Sequence, residues 1–151
     1  MPRPIPLIAF ILLVVGGGLL IGSQTLPGPW YAELQKPVFN PPNWLFGPVW
    51  TLLYLLIAIA GWQCWRYIRS SLAMRLWWLQ LALNFIWSPV FFGMQSIGGA
   101  LIIVLLLLLA VAAFIMAAWR PHRPAALLFL PYLAWVAFAA LLNGSLFLLN
   151  P

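Results

Sequence analysis

The sequence predicts an all-α membrane protein. It reads as a five-transmembrane-helix bundle, one domain over residues 1–151, with a long Pro/Trp-rich loop between helices 1 and 2. Three observations carry this. Of the 151 residues 66% are hydrophobic and 5% are charged, where a soluble domain carries about a quarter charged residues. Five apolar stretches reach the roughly 20 residues needed to cross the hydrocarbon core. The seven Lys and Arg residues sit at or between the ends of those stretches. No alternating strand pattern of a membrane barrel is present.

The first span is expected at 5–25. Its Gly18 and Gly22 form a GxxxG that permits close helix approach, within the chain or to a second copy. Arg3 ahead of an apolar run resembles a secretory signal, but the run is too long for one and "IGSQT" is a poor cleavage site. The second span is expected at 47–67, with Pro48 in its first turn. The third follows at 76–95, the fourth at 98–119 and the fifth at 125–149. Neither a fixed-period repeat nor an inverted pair of broken segments appears.

Loop charge sets orientation. Arg3, Arg66, Arg69, Arg75, Arg120 and Arg123 fall on one side, and Lys36 with Glu33 on the other. This places the N-terminus in the cytoplasm and the C-terminus outside. The net charge of +6 forms no basic stripe, so nucleic acid is not an expected partner.

Several chemistries are excluded by composition. The chain has no aspartate, and Glu33, its one carboxylate side chain, is in a loop. His122 is the sole histidine and Cys64 the sole cysteine. General acid–base pairs, a Ser/His/Asp arrangement and a metal cluster all lack their members. No ionisable group lies at mid-membrane depth, where pumps place theirs.

Aromatic residues are abundant instead: 10 Trp, 10 Phe and 4 Tyr. Trp30, Trp44, Trp65, Trp77, Trp78 and Trp119 lie near span ends and fit an interfacial belt. Trp50, Trp87 and Trp135 lie deeper. Helical spacing groups Trp50, Tyr54, Ala58, Gly61 and Trp65 on one face of the second span. Gln80, Asn84, Trp87, Ser88 and Phe91 share a face of the third. Trp135, Ala139 and Asn143 share one on the fifth, with Phe138 and Leu142 beside them. Stripes of flat rings, small residues and amides suit helix–helix contact, and equally an intrabundle pocket. The loop from Leu26 to about Phe46 is too aromatic for disorder. "PWYAELQK" reads as a short helix stopped by Pro37, with Glu33 and Lys36 spaced to pair. Pro37, Pro41 and Pro42 stiffen the rest of the loop into a flap over the bundle mouth.

Three segments resemble the TspO/MBR family, which joins bacterial tryptophan-rich sensory proteins and mitochondrial translocator proteins once called peripheral benzodiazepine receptors. They are "WYAELQKPVFNPPNWLFGPVWTLLYLLIAIAG" (30–61), "LALNFIWSPVFFG" (81–93) and "PYLAWVAFAALLN" (131–143). The resemblance spans all five helices. It implies a homodimer in the membrane lipid, in a bacterial cell membrane, with a pocket closed by the first loop. Family ligands are tetrapyrroles such as protoporphyrin IX and haem, sterols, and benzodiazepine-type drugs. Trp50 and Trp135 match a pair implicated in light-dependent oxidative breakdown of protoporphyrin in some members, and would be the catalytic residues here if that activity is present. Trp87, Asn84, Ala139 and Asn143 fall in pocket-lining motifs. The cholesterol motif of animal members is absent, with Gly144 and Leu148 in place of its tyrosine and arginine.

The expected ligand site thus comprises Trp30, Lys36, Trp50, Tyr54, Asn84 and Trp87, with Phe91, Trp135, Phe138, Ala139 and Asn143. No metal ligands and no required cofactor are expected, and Lys36 is the candidate partner for a porphyrin propionate. Three functions remain open: a sensor or regulator of tetrapyrroles, a transporter of porphyrins or other amphipathic molecules, and a light-dependent porphyrin-degrading enzyme.

Overall fold

In lipid, backbone N–H and C=O groups have no water to bond, so each apolar stretch satisfies them internally as a helix. The computed structural model describes residues 4–151, with side chains from Pro6 onward. Arg3, one of the six residues in the charge asymmetry, lies outside the described residues. Five helices are long and apolar enough to span a membrane: α1 (Pro6–Gln24), α3 (Asn43–Tyr67), α4 (Leu72–Gly93), α5 (Ile97–Ala118) and α6 (Arg123–Leu149). A single short helix, α2 (Pro29–Ala32), sits in the loop after α1.

Two helix starts fall four residues ahead of the sequence expectation, and the other ends agree within two residues. Helix α3 starts at Asn43 rather than 47, because Pro42 takes an extended N-cap conformation and the helix runs on from there. Pro48 therefore lies inside the helix, and its missing N–H leaves the Trp44 carbonyl without a helical donor. Helix α4 starts at Leu72 rather than 76, since the Ser71 side chain accepts the Met74 N–H at 3.2 Å and caps the first turn. Ser96 caps α5 in the same way, accepting the Gly99 N–H at 3.1 Å.

Prolines and glycines shape the other helices. In α4, Pro89 opens a π-helical turn, Pro89–Gly93, in which the Met94 N–H reaches back to the Pro89 carbonyl at 2.9 Å. In α6, the helix breaks at Phe129. Pro131 supplies no N–H for the Leu127 carbonyl, which accounts for the break. Helix α1 carries a π-helical turn at Leu12–Gly16.

The helices close into a ring. Helix α1 packs on α3, α3 on α6, α6 on α5, α5 on α4, and α4 returns to the second half of α1. At the arginine-bearing end the ring is filled. Trp77 is completely buried there, and its indole N–H donates to the Ile57 carbonyl at 2.9 Å. This corrects its assignment to the interfacial belt. Gly61 explains the burial, because the Trp77 indole occupies the space where a side chain at position 61 would stand. Trp44, Trp78 and Trp119 remain exposed, as a belt requires.

Gly61→Ala is expected to force the Trp77 ring out of place and destabilise the bundle by about 1–3 kcal/mol. Thermal unfolding in detergent should show a clearly lower midpoint. Gly16→Ala is the control, since nothing lies within 4 Å of its added carbon; it should leave the midpoint unchanged or raise it.

Candidate ligand-binding site

At the other end of the ring the helices do not meet on the axis. A cavity of about 500 Å³ lies between them, within the range that holds a drug-sized ligand. Helix α3 supplies Trp50 and Tyr54, whose rings lie 5.5 Å apart. Trp87 and Phe91 of α4 line it as a stacked pair, 5.0 Å apart. Helix α6 supplies Trp135, Ala139 and Asn143. Gly18 of α1 admits the Tyr54 ring into the space a side chain would fill, so this half of the GxxxG packs within the chain. Gly22 faces open space on the same cavity.

Buried hydrogen bonds hold the walls. Asn84 donates through Nδ2 to the Tyr132 hydroxyl at 2.7 Å, and that hydroxyl donates to Gln80 Oε1 at 2.8 Å. Gln80 Nε2 then donates to the Trp77 carbonyl at 2.8 Å. This chain ties α4 to α6 and ends beside the Trp77–Ile57 bond to α3. Nearer the loop, Trp87 Nε1 donates to Asn143 Oδ1 at 3.0 Å, and Asn143 Nδ2 donates to the Ile97 carbonyl at 3.1 Å. Asn143 thereby joins α6 to α4 and to the start of α5. Thr25 and Ser88 share a 2.7 Å hydroxyl contact between α1 and α4.

The loop forms the roof. Leu26, Pro27, Tyr31 and Asn40 line the cavity from it. Its aromatics interleave with α6: Phe39 lies 6.2 Å from Phe138, and Phe46, from the first turn of α3, lies 5.8 Å from Trp135. Asn150 pins the loop to the end of α6, accepting the Gln35 N–H and donating to the Gln35 carbonyl, both at 2.9 Å. Burial raises the Tyr31 hydroxyl above the ordinary phenol range, with the Asn40 side chain acting in the opposite sense. Tyr31 is therefore neutral at physiological pH. No Asp, Glu, Lys, Arg or His is among the described residues lining the cavity.

Eight of the expected site residues line this cavity: Trp50, Tyr54, Asn84 and Trp87, with Phe91, Trp135, Ala139 and Asn143. Three do not. Trp30 stands behind Phe91, ring to ring at 5.7 Å, and Phe138 stands behind Trp135 at 5.5 Å. Lys36 is turned into the loop itself. Helix α2 ends at Ala32 and not at Pro37, and of the carbonyls around its end only that of Tyr31 takes a backbone donor, the Leu34 N–H at 3.1 Å. The Lys36 ammonium donates to those of Tyr31 (2.8 Å), Leu34 (3.2 Å) and Ala32 (3.3 Å), and lies 4.6 Å over the Tyr31 ring. It takes those partners in place of the expected Glu33.

Sequence reasoning missed Tyr31, Asn40 and Phe46 as lining residues and Tyr132 as a wall support. Spacing cannot reveal Tyr31 and Asn40, because no helical period relates the loop to the spans, whereas Phe46 stands four residues before Trp50 on α3 and a longer second span would have found it. His122 lies elsewhere, stacked on Tyr67 at 4.9 Å with Nε2 3.1 Å from Gln63 Oε1. No group of three potential metal ligands occurs among the described residues.

Lys36→Met should remove the ammonium from the three loop carbonyls. Hydrogen exchange across residues 31–40 is expected to accelerate on the order of tenfold, as loss of about 1.4 kcal/mol of charged hydrogen bonding implies. Exchange in α3–α6 should stay unchanged.

Comparison with known proteins agrees with this architecture. The model of the TspO/MBR family matches residues 9–149. The Tryptophan-rich protein TspO of Archaeoglobus fulgidus is 42% identical over 149 residues, covering 95% of this chain and 96% of that protein. The Translocator protein of Bos taurus is 40% identical, with 94% and 88% covered. The Tryptophan-rich sensory protein of Cereibacter sphaeroides is 38% identical, with 92% and 88% covered. With five membrane-length helices and a family match over nearly its whole length, this chain is an integral membrane protein belonging to the TspO/MBR family.

Proposed function

We propose that this chain binds tetrapyrroles, protoporphyrin IX or haem, and similar flat hydrophobic ligands, and acts as a membrane sensor or regulator of tetrapyrrole levels. The observation that carries this reading is the cavity of about 500 Å³ inside the bundle, with Trp50, Trp87 and Trp135 on three different helices around it. A flat conjugated ring gains about 0.5–1.5 kcal/mol from each aromatic contact beyond the burial of its area. The interleaved amides offer hydrogen bonds at its edge.

Within this class the lining favours a metal-free porphyrin. No His, Cys or Met is among the described residues lining the cavity, so of the side-chain types that ligate haem iron the described lining offers tyrosine alone, in Tyr31 and Tyr54.

The names of the relatives, tryptophan-rich sensory protein and translocator protein, support a sensing or translocating role. Sensing is preferred, since ion-coupled transport against a gradient needs a site for the ion and no charged side chain is among the described lining residues. Light-dependent breakdown of bound porphyrin at Trp50 and Trp135 is the enzymatic alternative. The proposed setting is a bacterial cell membrane, with the arginine-bearing end of the bundle in the cytoplasm and the chain paired as a homodimer.

Titration of the purified protein with protoporphyrin IX should quench tryptophan fluorescence saturably and shift the Soret band. Trp50→Leu and Trp135→Leu are each expected to weaken binding roughly tenfold, about 1.4 kcal/mol for one lost aromatic wall. Unchanged affinity in both variants would exclude this cavity.

A further inference from the structure

A second hollow lies at the arginine-bearing end, on the outside of the ring. It is a groove of about 360 Å³ lined by Pro6, Ala9, Phe10 and Leu13 of α1, Trp65 of α3 and Trp78 of α4. Phe10 is buried at its back, with its ring 6.4 Å from Trp65 and 6.3 Å from Trp78. Leu13 and Trp78 are exposed along it, so the groove opens between the spans onto the bilayer. Two arginines frame its surface end. The Arg69 guanidinium lies 3.8 Å over the Trp65 ring, and its Nε donates to the Trp65 carbonyl at 3.0 Å. That bond holds the guanidinium against one wall and leaves its Nη edge for a second partner. Arg75 stands three residues ahead of Trp78, on the same face of α4 and one turn nearer the helix start. Each indole wall thus carries an arginine on its surface side.

No acidic side chain balances this charge. Arg66, Arg69, Arg75, Arg120 and Arg123 all stand at this end, while Glu33, the one carboxylate side chain in the sequence, is in the roof loop at the other. A second copy inserted in the same direction cannot supply an acid either, because its Glu33 reaches the opposite face of the membrane. The anion must come from the surroundings, and an apolar groove directly beneath two arginines selects one that carries a hydrocarbon chain. We propose that the groove binds an anionic phospholipid of the adjoining leaflet, with an acyl chain between Trp65 and Trp78 and the headgroup phosphate held by Arg69 and Arg75. A guanidinium fork matches phosphate oxygens in pairs, and basic side chains at the membrane surface attract anionic headgroups. The site is separate from the intrabundle cavity, with which it shares no lining residue. Arg123 offers an internal comparison. Its guanidinium lies 4.8 Å over Trp119 and its Nε donates to the Trp119 carbonyl at 3.3 Å, the posture of Arg69, but Trp119 is not a wall of the groove.

Native mass spectrometry of the full chain released from detergent micelles tests this, with phosphatidylglycerol and phosphatidylcholine of identical acyl chains titrated side by side. Phosphatidylglycerol should be retained roughly tenfold more tightly than phosphatidylcholine. Arg69→Gln and Arg75→Gln should each weaken it about fivefold and leave phosphatidylcholine unchanged. Arg75 is exposed, so its variant reads the site even where Arg69→Gln disturbs the turn between α3 and α4. Ala9→Trp fills the groove from an exposed position and should weaken both lipids, which loss of charge alone cannot do. Arg123→Gln should change neither. Equal retention of the two lipids, or equal effects of Arg123→Gln and Arg75→Gln, overturns the proposal and leaves only diffuse surface charge. Retention unaffected by Ala9→Trp places the lipid elsewhere and overturns it as well. Saturable binding of glycerophosphoglycerol, the headgroup without its chains, at the same concentration would reduce the site to one for phosphate alone. A dimer lost in Ala9→Trp, with lipid retention unchanged, would assign the groove to a second copy instead.

Discussion

A side-chain amide, hydroxyl or indole N–H inside a membrane must find its partner within the protein, and in this chain one series of such bonds fixes where the helices can stand. Trp77, Gln80 and Asn84 lie along α4 at intervals of three and four residues. They bond Ile57 of α3, each other through Tyr132, and thus α6. Buried polar networks of this kind are costly when half-satisfied and rigidifying when complete. This one runs unbroken from the Ile57 carbonyl to Asn84 Nδ2, and it closes the arginine-bearing end of the ring. Gly61 is required for it, since only a residue without a side chain lets the Trp77 ring reach Ile57.

The same constraint gives the cavity its character. Where the series of bonds stops at Asn84, the helices are held apart by rings, and the remaining polar groups turn inward because lipid offers them nothing. Most are paired across helices. The Asn143 amide, bonded to both Trp87 and Ile97, keeps the third wall in place. The roof is fixed separately, by the Lys36 ammonium from within and by Asn150 at its edge. Site and scaffold are thus made from one set of residues, and among the described residues Trp135 Nε1 and Asn40 Oδ1 are the fully buried side-chain atoms without a hydrogen-bond partner.

Much of this is legible in the sequence. Apolar length locates the five spans within a few residues, and helical spacing places Trp50 with Tyr54, Asn84 with Trp87, and Trp135 with Asn143 on shared faces. Spacing does not show which part of a face meets a cavity and which meets another helix. The α3 stripe divides at that point: Trp50 and Tyr54 line the cavity, while Ala58 and Gly61 are buried in the filled half. Trp77 escapes sequence reasoning for the same reason, since nearness to a span end looks alike whether a ring faces lipid or Gly61. Lys36 escapes it because its partners are backbone carbonyls, which carry no signature in a sequence. Asn40 and Tyr31 belong to the roof loop, and only its folded path brings them over the cavity.

The proposed flat ligand sits inside the bundle, among the cavity tryptophans, rather than on its lipid-facing surface. Illuminating the complex with substoichiometric protoporphyrin IX in the presence of dissolved oxygen, then mapping oxidised tryptophans by mass spectrometry, tests this directly. The bound pigment should modify Trp50, Trp87 and Trp135 first. Oxidation confined to the exposed Trp44, Trp78 and Trp119 would instead place the pigment on the lipid-facing surface.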